Sequence, residues 1–287
     1  MRVLAAVCLA LLLAAPLAAQ TPIRRGIATA PGGVSLRILN LEGSVRVVGW
    51  DRDSIAVTGT MEGGTARSFY LAGSPGGRGF KLGVEVGADG RPEGAARIEV
   101  RVPFRSSVWV KSNGAVIEAD DVRGGLDLYS VSGPVRVTGR IAQLSVESMD
   151  GPVEIGGAST WLRVKTADGR ILLRGTADDA AVSSVSGSIV VDDARYSRAR
   201  IESVTGGVEF RGSVPRGVDY SFETHSGSVT LRLAPDPDAT VTVTTFGGDV
   251  RSEFGPVPSS GGSVRLGDGD ATVTIRTFRG PVVLARR

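Results

Sequence analysis

The octet Ser130-Val131-Ser132-Gly133-Pro134-Val135-Arg136-Val137 returns eighteen residues later as Ser148-Met149-Asp150-Gly151-Pro152-Val153-Glu154-Ile155. Glycines at the same place in the pattern fall at 114, 133, 151, 169, 187, 206, 227, 248 and 280, separated by 19, 18, 18, 18, 19, 21, 21 and 32 residues. A copy this short cannot bury an apolar face by itself, so a fixed period near 18 demands that copies stack on one another. No other property of the chain restricts its fold as tightly.

Within each copy apolar residues alternate on both sides of the glycine. Seven and five residues before it stand Leu126 and Leu128, Leu144 and Val146, Leu162 and Val164, and so on to Val273 and Ile275. Two and four residues after it stand Val135 and Val137, Val153 and Ile155, Ile171 and Leu173, through to Val282 and Leu284. A period of two is that of a strand with one face inward. Pro134, Pro152 and Pro281 follow the glycine directly, and a residue without an N–H belongs to a bend. Each copy therefore reads as strand, glycine corner, strand and a variable return, with Gly133, Gly151, Gly169, Gly187, Gly206, Gly227, Gly248 and Gly280 expected to supply a positive φ at the corner. The copy at Gly114 is one residue out of register, and Ser252 interrupts the apolar column after Gly248.

The architecture expected is an all-β, single-domain parallel β-solenoid of about 18–21-residue coils over residues 35–287. A chain of antiparallel hairpins turning at each glycine is the rival. Opposite charges one coil apart, Arg136 with Glu154 and Glu147 with Lys165, favour stacking; Glu202 above Glu223 does not. A first copy runs from Leu36 through Gly43 to Val57. Residues 60–107 read as an irregular insertion, with strands around Phe80–Val86 and Ile98–Val102 expected to pair as a hairpin, and 253–270 reads as a loop insertion rich in Pro and Gly. Residues 21–34 read as a flexible lead-in.

The first 20 residues have the form of a secretory signal: Arg2, an apolar run from Val3 to Leu13, then small residues, with cleavage expected between Ala18 and Thr21. Export follows from that reading, to the periplasm or beyond, with no membrane span in the mature chain. Cys8, the single cysteine, lies inside the leader, so the mature chain would carry no thiol. A formal net charge of +3 with no basic block argues against a nucleic-acid partner, and 5% aromatic content against a large globular core.

Leu36-Arg37-Ile38-Leu39-Asn40-Leu41-Glu42-Gly43-Ser44-Val45-Arg46-Val47, then Gly49-Trp50-Asp51, a Val102-Pro103 hinge and the S-x-S-G repeats together resemble the bacterial putative-adhesin family. The resemblance spans about residues 33–287. It implies an exported β-helical domain of the cell envelope, of unknown function, and brings no catalytic residues with it.

The residues themselves offer little chemistry. His225 is the only histidine and has no cysteine or second histidine beside it, so an ordinary corner residue is the expectation. Gly267-Asp268-Gly269-Asp270 lacks the ligand set of a calcium loop and reads as a turn. Asp150 and Asp168 should lie one coil apart at the corner, solvated. No catalytic residue, metal site or cofactor is expected. The function expected is a non-catalytic, adhesin-like binding or structural module meeting an envelope glycan or protein; a polysaccharide-active β-helix enzyme and an extracytoplasmic sensor partner of a membrane regulator are the alternatives.

Two columns bear on binding. Three residues before each glycine stands a small polar residue: Asn40, Ser130, Ser148, Thr166, Ser184, Ser203, Thr224, Thr245 or Thr277. Two residues before it stand Leu41, Val131, Met149, Ala167, Val185, Val204, His225, Phe246 and Phe278. Either the chain bends so that this second column fills the corner, with the hydroxyl turned outward, or the column forms an exposed interaction stripe through Val185, Val204, His225, Phe246 and Phe278. Corner filling is the preferred expectation.

Overall fold

The computed structural model describes residues 20–65, 67–258 and 261–287; the leader, residues 1–19, lies outside them. Strands after the corner stack parallel and in register, Val135 beside Val153, Val153 beside Ile171 and Ile171 beside Ile189. Strands before the corner do the same, Leu126 beside Leu144, Leu144 beside Leu162 and Leu162 beside Ala180. Two 13-stranded sheets result, joined at their edges by the corners. Parallel pairing throughout the repeats makes this an all-β solenoid and removes the hairpin rival. It follows from the sequence: copies that turn the same way at the same glycine can pair only with their own kind.

The alternating apolar residues fill the space between the sheets, with Leu128, Val146, Val164 and Ile171 fully or almost fully buried. Each such side chain contributes ~1.5–3 kcal/mol. Where the repeat lengthens toward the C-terminus the core accepts rings. Phe210 packs edge-on against Phe222 at 5.9 Å and lies 5.7 Å from Tyr220. The buried Tyr220 hydroxyl donates to the Tyr196 carbonyl at 3.0 Å and accepts from its N–H at 3.1 Å, so that hydroxyl is satisfied both as donor and as acceptor.

The corner glycines are needed for a reason other than the one expected. None of the eight has a positive φ. Instead each backbone lies directly against the neighbouring coil, and a Cβ on Gly151, Gly169 or Gly187 would overlap the carbonyl oxygen of Gly133, Gly151 or Gly169 respectively. Positive φ belongs to the opposite corner, at Gly139 (82°), Gly157 (121°) and Gly175 (122°), with Asp121 and Asp193 in the same column at 49° and 50°. In the coil that reads one residue out of register, Ala115 takes the corner place and its carbonyl meets Gly133.

Both ends depart from sequence order. Gly79–Val84 and Ala95–Pro103, expected as a hairpin, lie in opposite sheets and form a coil outside the first copy, beside Ser35–Leu39 and Gly43–Trp50. The hairpin within 60–107 is instead Phe69–Ala72 with Gly79–Val84. Residues 21–34, expected to be flexible, contribute Gln20–Ala28, which pairs antiparallel with Ser54–Glu62 and buries Ile23. Residues 253–270 include the strand Gly261–Leu266, antiparallel to Ala239–Thr245. These antiparallel strands form three of the four sheet ends; the fourth is the parallel strand Val250–Ser252. The last coil, Ala271–Thr277 with Val282–Arg286, inserts between that of Asp219–Thr224 and that of Ala239–Thr245. The 32-residue gap before Gly280 holds residues 253–270, with the added strand Gly261–Leu266.

Candidate interaction surface

Strand alternation runs on through the residue three before each glycine, and this decides which column faces out. The small polar residue is turned inward and buried, and the next residue is turned to solvent. Inside, Ser130 Oγ donates to the Gly133 carbonyl at 2.7 Å, Ser148 to Gly151 at 2.8 Å, Thr166 to Gly169 at 2.9 Å and Thr224 to Gly227 at 2.7 Å. Asn40 Nδ2 donates to the Ala96 carbonyl at 2.9 Å. A short hydroxyl is what fits here: it satisfies a carbonyl that the tight turn takes out of the ladder.

Corner filling is therefore overturned. Val131, Met149, Val185, Val204, His225, Phe278 and Phe246 all face solvent, Met149 at 55% and Phe246 at 82% of full exposure. Ala167 is half-buried. Because the last coil inserts out of order, the column ends in the sequence His225, Phe278, Phe246. The His225 and Phe278 rings are 5.0 Å apart at 14°, those of Phe278 and Phe246 5.1 Å apart at 4°. Ring spacing thus follows strand spacing, ~4.8 Å, and over eight coils the column is about 34 Å long. The stack is one platform made by three coils.

Beside the stack lies an open groove of ≈ 770 Å³ that reaches back to Thr166 and Val185. Its sheet-side flank carries Arg200, Glu202, Glu223 and Arg276. The like charges of Glu202 and Glu223 do stack in register, and Arg200 answers both, bonding Glu202 and lying 4.0 Å from Glu223. On the other side, Arg279 lies over the Phe278 ring at 5.4 Å.

The remaining candidates are accounted for by contacts. Asp168 accepts from the Ser186 hydroxyl, and Asp150 is exposed beside Met149. The Gly267–Asp270 turn faces an arginine: Arg216 lies 2.8 Å from Asp238, 2.9 Å from Asp270 and 3.1 Å from Asp268. Backbone N–H groups of Asp270 and Gly269, with Arg216, hold the Asp238 carboxyl below its usual range. The expected pair of Arg136 and Glu154 forms at 3.2 Å within a longer ladder on the opposite sheet, Arg46–Glu118–Arg136–Glu154–Arg174–Asp192. Those pairs are exposed and individually add little.

A two-sheet parallel solenoid with a hydroxyl-braced corner and an exposed apolar column is the class of protein defined so far. The family model described as Toastrack DUF4097 matches residues 93–284, and the chain belongs to that family. A solved putative adhesin from Parabacteroides merdae shares the fold, with a TM-score of 0.56 and 10% identity over 92% of this chain and 95% of that chain. A putative adhesin from Bacteroides fragilis gives 0.45 and 10% over 93% and 98%, and a putative lipid binding protein from Parabacteroides distasonis 0.49 and 12% over 92% and 96%. No curated protein matches. Among the described residues no helix is long and apolar enough to cross a membrane.

Proposed function

We propose that this chain is an exported, non-catalytic module of the cell envelope that holds a partner protein along its corner stripe. The observation that carries the reading is the column Val131, Met149, Val185, Val204, His225, Phe278 and Phe246. Evolution of a repeat has every opportunity to place polar residues at an outward position, yet here apolar ones recur, and contiguous exposed apolar surface marks an interaction site. Charged residues such as Arg200, Glu202 and Arg276 border it, as a polar rim borders the apolar centre of a protein interface. A straight stripe on a stiff solenoid suits an extended or helical segment of the partner.

Non-catalytic action is supported by where the shifted ionisable groups lie. Among the described residues, the lowered carboxyls of Asp121, Asp193 and Glu209 owe their shifts chiefly to hydrogen bonds from Arg123, Arg287 and Arg211, and the raised Tyr70, Asp127, Tyr196 and Tyr220 owe theirs first to burial. The adhesin names of similar folds and the signal-like leader support the envelope as its place. A photoreactive phenylalanine analogue in place of His225, compared with one in place of Glu154 on the opposite sheet, tests the reading in intact cells. One discrete adduct from the stripe position alone is expected, abolished by Phe246→Ser with Phe278→Ser. Equal adducts from both faces, or none from the stripe, would contradict it.

A further inference from the structure

Near the other end of the stack the residues that carried the family resemblance meet in one cleft. Trp50 ends its strand alongside Pro103, and the Phe104 N–H donates to the Trp50 carbonyl at 3.0 Å. Trp50 Nε1 donates to the Ser54 carbonyl at 2.8 Å, which fixes the ring over the Asp51–Asp53 turn. Gly32 and Gly33, with φ of 88° and 102°, form the facing wall, and at Gly33 a Cβ would strike the Arg105 carbonyl. The cleft is open to solvent, has a volume of ≈ 710 Å³ and is lined also by Arg52, Arg105 and Arg123.

The cleft gathers three arginines, Arg52, Arg105 and Arg123, and two aspartates, Asp51 and Asp53. Of the arginines Arg123 is committed, bonded to Asp121 at 2.7 Å and lying 3.7 Å over the Phe104 ring, and the Asp51 charge also attracts it. Arg52 touches only the Trp50 ring, at 5.3 Å, and Arg105 has no hydrogen bond or ion pair from its side chain among the described residues. The carboxylates of Asp51 and Asp53 likewise have no partner within hydrogen-bond reach among the described residues. The Arg52 and Arg105 guanidinium forks and the Asp51 and Asp53 carboxylates, none with a hydrogen-bond partner among the described residues, thus share one cleft.

A ligand that satisfies both must offer an anion to Arg52 and Arg105 and hydroxyl donors to Asp51 and Asp53. A polyphosphate supplies only negative charge and is repelled by the two carboxylates; a neutral sugar leaves the guanidinium forks empty. We propose that this cleft binds an acidic saccharide, with a uronate carboxylate held by Arg52 and Arg105 and adjacent ring hydroxyls donating to Asp51 and Asp53. Planar guanidinium groups take a carboxylate bidentately, and carboxylates are acceptor-only partners for hydroxyls, so the residue types match the ligand group by group. The site is independent of the corner stripe.

Titration calorimetry of the purified chain with a mannuronate tetrasaccharide tests this, with a mannose tetrasaccharide and sodium sulfate as comparisons. The acidic sugar should bind, the neutral one at least about tenfold more weakly, and Arg105→Ala should weaken binding about tenfold or more. Arg105→Lys, which keeps the charge and loses the fork, should weaken it too, whereas Phe246→Ser should not. Arg105 is exposed, so an unchanged melting temperature will accompany its variants. Equal binding of the neutral sugar, full competition by sulfate at matched concentration, undiminished binding by Arg105→Ala, or no binding of the acidic sugar would each overturn the proposal.

Discussion

Between Gly133 and Gly206 the outward column carries Val131, Met149, Ala167, Val185 and Val204; at the C-terminal end the same column carries His225, Phe278 and Phe246. In the middle, chain order and stacking order coincide, each coil resting on the one before it. At the end they part, because the last coil enters between its two predecessors. The rings that result are stacked only through that insertion, since His225 and Phe246 belong to coils that do not touch. The difference teaches that the repeat sets the shape of a coil, whereas the neighbours of a coil are chosen by the edges left open when it forms.

The largest effect should come from breaking the middle. Val164→Asp places an unpaired charge where the wild-type side chain is fully buried, costing several kcal/mol. Thermal denaturation followed by circular dichroism should show several coils lost together, and an unchanged transition would deny that the middle is a continuous core. Next, Gly169→Ala drives a methyl into the Gly151 carbonyl, at ~1–3 kcal/mol or more by urea denaturation, although Gly169 does not use positive φ. A neutral outcome would return the glycine to the role of a mere turn residue. Thr277→Val removes the hydroxyl that donates to the Gly280 carbonyl at 2.9 Å and should cost about 1 kcal/mol, showing that the inserted coil uses the same corner brace as the middle. Smallest is Phe246→Ala, which should change stability by less than about 1 kcal/mol because the ring is exposed and touches chiefly Phe278. A loss near ~3 kcal/mol would mean that the ring is buried after all.

The middle was legible because its signals are local and repeated: Leu126 and Leu128 alternate into the core, and Pro134 marks the bend. The requirement for Gly133 and its successors was legible too, but its cause was not. A turn is read within one copy, while the close approach that excludes a Cβ arises between copies. The outward placing of Val185 and Phe246 differs from the sequence expectation for a related reason. Alternation was expected to break at the hydroxyl, but Ser184 and Thr245 point inward and continue it, since a hydroxyl that bonds the backbone is content in the core. The ends were least legible. Gly79–Val84 and Ala95–Pro103 read as neighbours in the chain, yet they occupy opposite sheets because each completes a different exposed edge. The strand Gln20–Ala28 carries too little alternation to announce itself, with only Ile23 deeply buried. Paired arginines and carboxylates such as Arg216 with Asp238 became visible only once distant turns were brought together.

Disulfide trapping tests the stacking order most directly, in a Cys8→Ser background so that only introduced thiols react. Adjacent strands lie within the reach of a disulfide, ~4.8 Å, whereas strands two apart, at about 10 Å, do not. The paired substitutions His225→Cys with Phe278→Cys, and Phe278→Cys with Phe246→Cys, should each oxidise to an intramolecular disulfide, while His225→Cys with Phe246→Cys should remain reduced. Rapid oxidation of the last pair, with the first left reduced, would contradict the inserted coil and with it the aromatic stack.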